Sequence, residues 1–82
     1  MTLEQVLDGG YVVAADDWLN MLVVWNGSGR FNVWAHVEGD AYRSVDTFYL
    51  LAANAFDAKQ IARKWLANVY VEMEEYHNQE VA

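Results

Sequence analysis

The chain has 82 residues, so we expect a single domain over residues 1–82. Its hydrophobic share of 55% excludes intrinsic disorder, and its lack of cysteine excludes disulfides and thiolate metal sites. Twelve acidic against five basic residues, a net charge of −7, disfavour direct binding to nucleic acid or to an anionic membrane. With no signal-peptide pattern and no apolar run of ~18 residues, the sequence predicts a cytoplasmic protein without a membrane span.

The N-terminal segment predicts a short helix. Thr2 and Gln5 stand three residues apart, which is the pattern of a capping box. Gly9 and Gly10 end this helix, because glycine suits the left-handed conformation that follows a helix C-terminus. Residues 11–15 are predicted either as a short strand or as an extended connection.

The clearest signal is a β-hairpin around the turn residues 26–29. Residues 20–25 are rich in aliphatic side chains, and residues 30–37 alternate between apolar and polar side chains. A turn centred within the 26–29 segment pairs Trp25 with Arg30. This register fixes which side chains share each face of the sheet.

The predicted register divides the hairpin into two faces. We expect one face to lie under a C-terminal helix, and its side chains are Leu22, Val24, Phe31 and Val33. The opposite face carries Met21, Val23, Trp25, Asn32, Trp34 and His36. Either this second face is an open apolar patch that binds a partner, or residues 11–19 fold over it and bury it. In the first case Trp25 and Trp34 are the candidate partner-binding anchors.

The rest of the chain predicts a third strand and a long helix. A turn at residues 38–40 leads into a strand over residues 42–51, which are rich in aromatic and β-branched side chains. Asn54 opens a helix with Asp57 as its capping partner, and the helical spacing continues to about residue 77. The apolar positions of this helix are Ala58, Ile61, Ala62, Trp65, Val69, Met73 and Tyr76. The predicted fold class is α+β, a three-stranded antiparallel meander with a short N-terminal helix and a long C-terminal helix packed on one face, (α)βββα.

No residue pattern indicates catalysis. His36 and His77 lie far apart in the sequence, and Ser28 and Ser44 stand in no nucleophile motif. The paired acids are neighbours in sequence, and neighbouring side chains on a helix or strand do not face each other. We therefore expect no enzyme, no catalytic residue, no metal site and no cofactor.

The acidic charge indicates either simple solubility or attraction to a basic protein surface. For the second case the candidate partner-binding acids are Asp16, Asp17, Glu38, Asp40, Glu72, Glu74 and Glu75. Three bases of the last helix, Lys59, Arg63 and Lys64, are predicted to form a solvated helix face, with phosphate contact as the alternative. The predicted partner is a protein with a basic surface, and a homodimer through a sheet edge is a further alternative.

Residues 26–34, Asn-Gly-Ser-Gly-Arg-Phe-Asn-Val-Trp, resemble the hairpin of MbtH-like proteins. That family has an Asn, a Gly three residues on, and then an aromatic, an aliphatic and a Trp at the same spacing, although Ala35 stands where the family has a proline. Its members are small acidic proteins of three strands and a helix that chaperone adenylation domains of peptide synthetases. The resemblance, which covers only this hairpin, implies a chaperone or regulatory subunit of a biosynthetic enzyme.

In size, charge and lack of cysteine, the whole chain resembles small phage-encoded anti-defence proteins such as anti-CRISPRs. Some of those proteins mimic nucleic acid to occupy basic grooves of CRISPR effectors, and others bind protein surfaces. This resemblance implies a non-catalytic inhibitor that docks on a nucleic-acid-binding complex in the host-cell cytoplasm. It is the function we predict, with the MbtH-like chaperone as the alternative. The element order also resembles a double-stranded-RNA-binding domain, but residues 54–59 lack the lysine cluster of that family, so RNA binding is not expected.

Overall fold

A computed structural model describes the backbone of residues 1–81 and the side chains of residues 1–75. The elements in chain order are α1 (Leu3–Val6), β1 (Tyr11–Asp16), β2 (Met21–Trp25), β3 (Arg30–Glu38), β4 (Ala41–Tyr49) and α2 (Ala55–Val81). The strands form one antiparallel sheet in the order β1-β2-β3-β4. The α+β class with a short first helix and a long last helix is confirmed. The predicted number of three strands is wrong, because β1 pairs with β2 as a fourth strand.

Both helices have the predicted caps. The Thr2 hydroxyl oxygen accepts from the Gln5 N–H (3.3 Å), and the Gln5 side chain accepts from the Thr2 N–H (2.9 Å). At the start of α2, Asn54 Oδ1 accepts from the Asp57 N–H (2.9 Å), and Asp57 Oδ2 accepts from the Ala53 N–H (2.9 Å). These bonds satisfy N–H groups that the first turn of a helix leaves without partners. The backbone of α2 continues to Val81, beyond the predicted end near residue 77.

The β2–β3 hairpin closes through a three-residue loop rather than the predicted turn. The Asn26 N–H donates to the Arg30 carbonyl (3.1 Å), but the return bond from the Arg30 N–H goes to Asn26 Oδ1 (3.1 Å). The same Oδ1 accepts from the Ser28 N–H (2.9 Å) inside the loop. Gly27 adopts φ +87°, a left-handed conformation that suits glycine. The Asn26 side chain thus sets a loop of odd length over residues 27–29.

This loop shifts the hairpin register by one residue. Trp25 pairs with Phe31 instead of Arg30, and the rest of β2 shifts with it. Because side chains alternate along a strand, a one-residue shift moves every β2 side chain to the other face. The prediction that Leu22 and Val24 face the long helix is therefore wrong. The side chains of β2 and β3 that share this face are Met21, Val23, Trp25, Phe31, Val33 and Ala35.

The main hydrophobic core lies between this face and α2. Its buried side chains are Val13, Val23, Trp25, Phe31, Val33, Ala58, Ala62 and Leu66. Phe31 stacks on Phe48 with ring centroids 4.8 Å apart, and Phe48 stacks on Trp65 of α2 at 5.5 Å. The three rings join β3, β4 and α2 into one packed unit. The predicted apolar face of the helix omitted Leu66, which is buried, and included Met73, which is exposed.

The second sheet face is covered by the N-terminal segment, not by residues 11–19. Met1 exchanges two backbone hydrogen bonds with Tyr42 at the start of β4, at 2.9 Å and 2.7 Å. Val6, further along this segment, is buried, and so is Val24 on this face of β2. Neither valine belongs to the main core. They mark a second, smaller apolar layer between residues 1–10 and the sheet.

Replacing Gly10 with alanine is expected to destabilise the protein by about 1–3 kcal/mol. A Cβ at Gly10 lies 2.5 Å from Val24 Cγ1 and 3.3 Å from the Trp25 carbonyl oxygen, so either the Val24 side chain or the backbone at residue 10 must shift. Urea denaturation measures the loss. Gly29→Ala is the matched control, because its nearest contact, Leu51 Cδ2 at 3.5 Å, is an ordinary one. Equal losses in the two variants would contradict the close packing at Gly10.

Candidate functional site

Two turns of the sheet lie side by side at one end of the molecule. The β1–β2 turn (residues 17–20) and the β3–β4 turn (residues 39–40) share this end because alternate connections of an antiparallel meander do so. The His36 N–H donates to the Asn20 carbonyl (2.7 Å), which ties the first turn to β3. A surface cavity of about 130 Å³ is lined by Asp17 from the first turn and by His36 and Tyr42, which flank the second.

The long helix brings its acidic C-terminal part to the same end. It starts at the opposite end, after β4, and the Tyr70 hydroxyl donates to Asp16 Oδ2 (2.5 Å) where β1 ends. Because a helix rises 1.5 Å per residue, residues 72–75 extend beyond this hydrogen bond. Asp16, Asp17, Glu38 and Asp40 stand in or beside the two turns, and Glu72, Glu74 and Glu75 extend along α2 toward the same end of the molecule. We call these seven residues the acidic end.

Two further side chains of the acidic end escaped the sequence analysis. Glu4 of α1 lines the same surface depression as Asp40, because the pairing of Met1 with Tyr42 places α1 beside the β3–β4 turn. Trp18, in the β1–β2 turn, is 82% exposed. In the sequence, one feature indicates that Trp18 is exposed. It follows two aspartates, in a segment that lacks the alternation of apolar and polar residues typical of a strand. An exposed Trp beside carboxylates suits contact with a cationic partner, since Trp is enriched in binding hot spots and its ring attracts cations.

Asp16 links the β1–β2 turn to α2. The hydrogen bond from Tyr70, followed by the one from the Leu19 N–H (2.9 Å), lowers the pKa of the Asp16 carboxyl. The same hydrogen bond raises the pKa of the Tyr70 hydroxyl. The carboxylate form of Asp16 is thus the form that the folded chain favours. Its charge contributes to the acidic end, and its oxygens also hold the fold.

Replacing Tyr70 with phenylalanine is expected to lower Tm by about 2 °C at pH 7, and this difference is expected to shrink at an acid pH below the ordinary range of an aspartate pKa. The pKa of Asp16 is lower in the folded than in the unfolded chain, so the hydrogen bond stabilises the fold above the unfolded pKa. That contribution is lost as the pH falls through the folded pKa. Thermal unfolding at both pH values measures it, with Tyr49→Phe at an exposed tyrosine as the control. A pH-independent difference would mean that the Asp16 carboxylate is not the acceptor.

The two predicted tryptophan anchors lie on opposite faces of the sheet. Trp25 is 6% exposed in the main core, and its indole N–H donates to the Ser28 carbonyl (2.9 Å). Trp34 lies half-buried on the second face, and its Nε1 is buried without a hydrogen-bond partner among the described residues. The predicted open face shared by both indoles is wrong, because the shifted register turns Trp25 inward. Both side chains are much less exposed to solvent than the Trp18 side chain.

His36 holds the β3–β4 turn. Its Nε2 donates to the Gly39 carbonyl (2.5 Å), and its ring lies 5.2 Å from the Tyr42 ring. Within the side chains of residues 1–75, no three of the His, Asp and Glu groups lie close enough to hold a metal ion. The side chain of His77 lies outside the described residues. Across residues 1–81, no helix is long and apolar enough to cross a membrane.

The opposite end of the molecule is apolar. Tyr49, Leu50 and Leu51, where β4 ends, are all exposed, Leu51 at 89%. They line a surface cavity of about 490 Å³ together with the β2–β3 loop, whose Gly29 carbonyl accepts from the Leu50 N–H (2.9 Å). We call these three residues the apolar end. Acidic and apolar surface are thus separated along a molecule whose longest dimension is 44 Å.

Comparison of the chain with protein-family models, with curated proteins and with solved structures found no match. The MbtH-like and anti-CRISPR-like resemblances therefore stay predictions. The case for a function rests on the geometry and charge of the two ends.

Proposed function

We propose that the protein is a non-catalytic inhibitor of the phage anti-defence kind. It docks its acidic end on a basic surface of a nucleic-acid-binding protein complex, such as a CRISPR effector. The observation that supports the proposal is that the two turns with Asp16, Asp17, Glu38 and Asp40 in or beside them share one end of the molecule with the exposed Trp18. A basic groove built for phosphates is the surface that complements such a concentration of carboxylates.

Charge and aromatic contact have different roles in this interface. Carboxylates in water act over a Debye length of about 8 Å, so they mainly raise the association rate and exclude acidic partners. Affinity depends more on side chains that become fully desolvated, and Trp18 is a large, strongly exposed apolar side chain at the acidic end. Trp25 is not part of the proposed contact, because its side chain fills the core.

The experiment is direct binding of the purified protein to immobilised, nucleic-acid-free CRISPR effectors at about 50 and about 300 mM salt. We expect the affinity to fall at least about tenfold at the higher salt, because exposed charge pairs are screened. Effector that is preloaded with target DNA should bind the protein poorly, since the groove is occupied. Salt-independent binding, or equal binding to the loaded effector, would contradict docking of the acidic end in a nucleic-acid groove.

The apolar end favours a second candidate function, a chaperone or regulatory subunit of a biosynthetic enzyme. Exposed apolar side chains that lie next to each other commonly mark a protein-binding surface, and Tyr49, Leu50 and Leu51 are consecutive in the chain. This candidate predicts a salt-resistant contact through the apolar end rather than through Trp25 and Trp34. Leu51→Ser should then abolish capture of the enzyme, while substitutions at the acidic end should leave capture intact.

A further inference from the structure

The outer edge of β1 is open, whereas the edge of β4 is partly occupied. The strand order leaves these two strands at the edges of the sheet. The β4 backbone bonds to Met1 at Tyr42, and Asp46 Oδ1 accepts from the Thr47 N–H (2.8 Å). Among the described residues, the backbone of residues 11–15 forms hydrogen bonds with β2 alone. Unpaired N–H and C=O groups on an edge strand accept a further strand.

A groove runs between this open edge and α2. Its volume is about 370 Å³, and it is lined by Val13, Ala14, Ala15 and Asp16 of β1 and by Arg63, Leu66, Ala67 and Tyr70 of α2. The alanines on both walls leave room for the side chains of an added strand. An edge strand beside a helix is a geometry that suits strand addition, in which backbone hydrogen bonds give affinity and the groove selects alternate side chains.

The helix wall of the groove carries one base, and a second base lies next to it. Arg63 lines the groove, and Lys59 lies one turn earlier on the same side of α2. Both side chains are exposed, and they are two of the five bases in a chain with twelve acids. Lys64 lies about 100° around the helix from Arg63, on the side away from the groove. An acidic ligand therefore meets favourable charge at the Arg63 end of the groove, in contrast to the acidic end.

We infer that this groove binds an extended acidic peptide segment of a partner protein, added as an antiparallel strand to β1. The carboxylates of the segment face Arg63 and Lys59. At the other end of the groove, the Asp16 carboxylate accepts hydrogen bonds from the Tyr70 hydroxyl and the Leu19 N–H. Because this carboxylate would repel a like charge, the acidic side chains of the segment belong at the Arg63 end. The groove shares only Asp16 with the acidic end, and the inference does not depend on the proposed function.

The first test measures charge. A fluorescent peptide of about seven alternating valine and glutamate residues is titrated with the protein, and its anisotropy is recorded. Arg63→Glu is expected to weaken binding about fivefold, as for an exposed ion pair. Lys64→Glu makes the same charge change on the other side of α2 and should leave the affinity unchanged. Circular dichroism establishes that both variants fold. Equal losses, or no saturation up to about 1 mM protein, would overturn the inference.

The second test measures backbone pairing. The same peptide with alternate amides N-methylated cannot complete a strand ladder, so its binding should be lost. Amide hydrogen exchange in residues 12–15 should slow when the unmodified peptide binds. Equal binding of the methylated peptide, or protection at another surface, would overturn strand addition. The rival occupant of the groove is a second copy of the chain, and analytical ultracentrifugation tests for it. A dimer that dissociates when the peptide binds would assign the groove to that second copy.

Discussion

Replacing Phe31 with alanine is expected to lower the free energy of unfolding by about 3–5 kcal/mol, the usual cost of removing a buried phenylalanine. Phe31 has no exposed surface and stacks on Phe48, which in turn stacks on Trp65. A domain of this length has a total stability of about 4–12 kcal/mol. The variant should therefore lose about a quarter or more of its stability. The less stable the wild type is, the larger the unfolded fraction of the variant will be at 25 °C. Urea denaturation followed by tryptophan fluorescence measures the loss.

Phe56→Ala is the matched control for this core substitution. It makes the same chemical change in the first turn of α2, where the side chain is 72% exposed. Surface changes of this kind usually alter stability by less than about 0.5 kcal/mol. If Phe31→Ala were as mild as Phe56→Ala, the stack of rings would not be the centre of the core.

The features that depend on neighbouring residues were predictable from the sequence. The capping bonds of Thr2 with Gln5 and of Asn54 with Asp57 join residues three apart, and both are present. The long helix follows from its apolar spacing in the same way. Each of these features depends on residues that lie close together in the chain, so a short stretch of sequence is enough to predict it.

The hairpin register was not predictable from its turn composition. Asn26, Gly27, Ser28 and Gly29 suit several loops, and the choice depended on a side-chain oxygen of Asn26 that takes the place of its own carbonyl. Because the Arg30 N–H donates to the Asn26 side chain and not to the Asn26 carbonyl, the pairing of β2 with β3 is shifted by one residue. It moved Trp25 from a predicted open face into the core, which is why the predicted tryptophan site did not form.

The acidic end required long-range information. Its assembly depends on β1 joining the sheet as a strand and on Tyr70 reaching Asp16 across 54 positions of the chain. Charge alone singles out these acids in the sequence, but charge does not show which of them share one end of the molecule. Trp18 was missed for the same reason, because a turn residue becomes a surface feature only when the strands on either side are known.

Reversing two charges at the acidic end is expected to weaken binding to a basic partner about thirtyfold at low salt, at roughly 1 kcal/mol for each reversed charge. Asp17→Lys with Asp40→Lys changes exposed side chains in the two neighbouring turns and leaves the Asp16–Tyr70 bond intact. The net charge moves from −7 to −3, since each reversal adds two charges. Binding should also depend less on salt, because fewer charge pairs remain to be screened.

The control separates the position of the charges from their number. Asp8→Lys with Asp46→Lys gives the same net charge of −3, but Asp8 follows α1 and Asp46 lies within β4, so neither stands in the two turns. We expect this variant to bind within about threefold of the wild type, since steering by net charge changes association more than the contact itself. If the two variants weaken binding equally, the partner responds to overall charge and the acidic end has no role of its own. If the first variant alone loses binding, Trp18→Ala then measures how much affinity the indole adds.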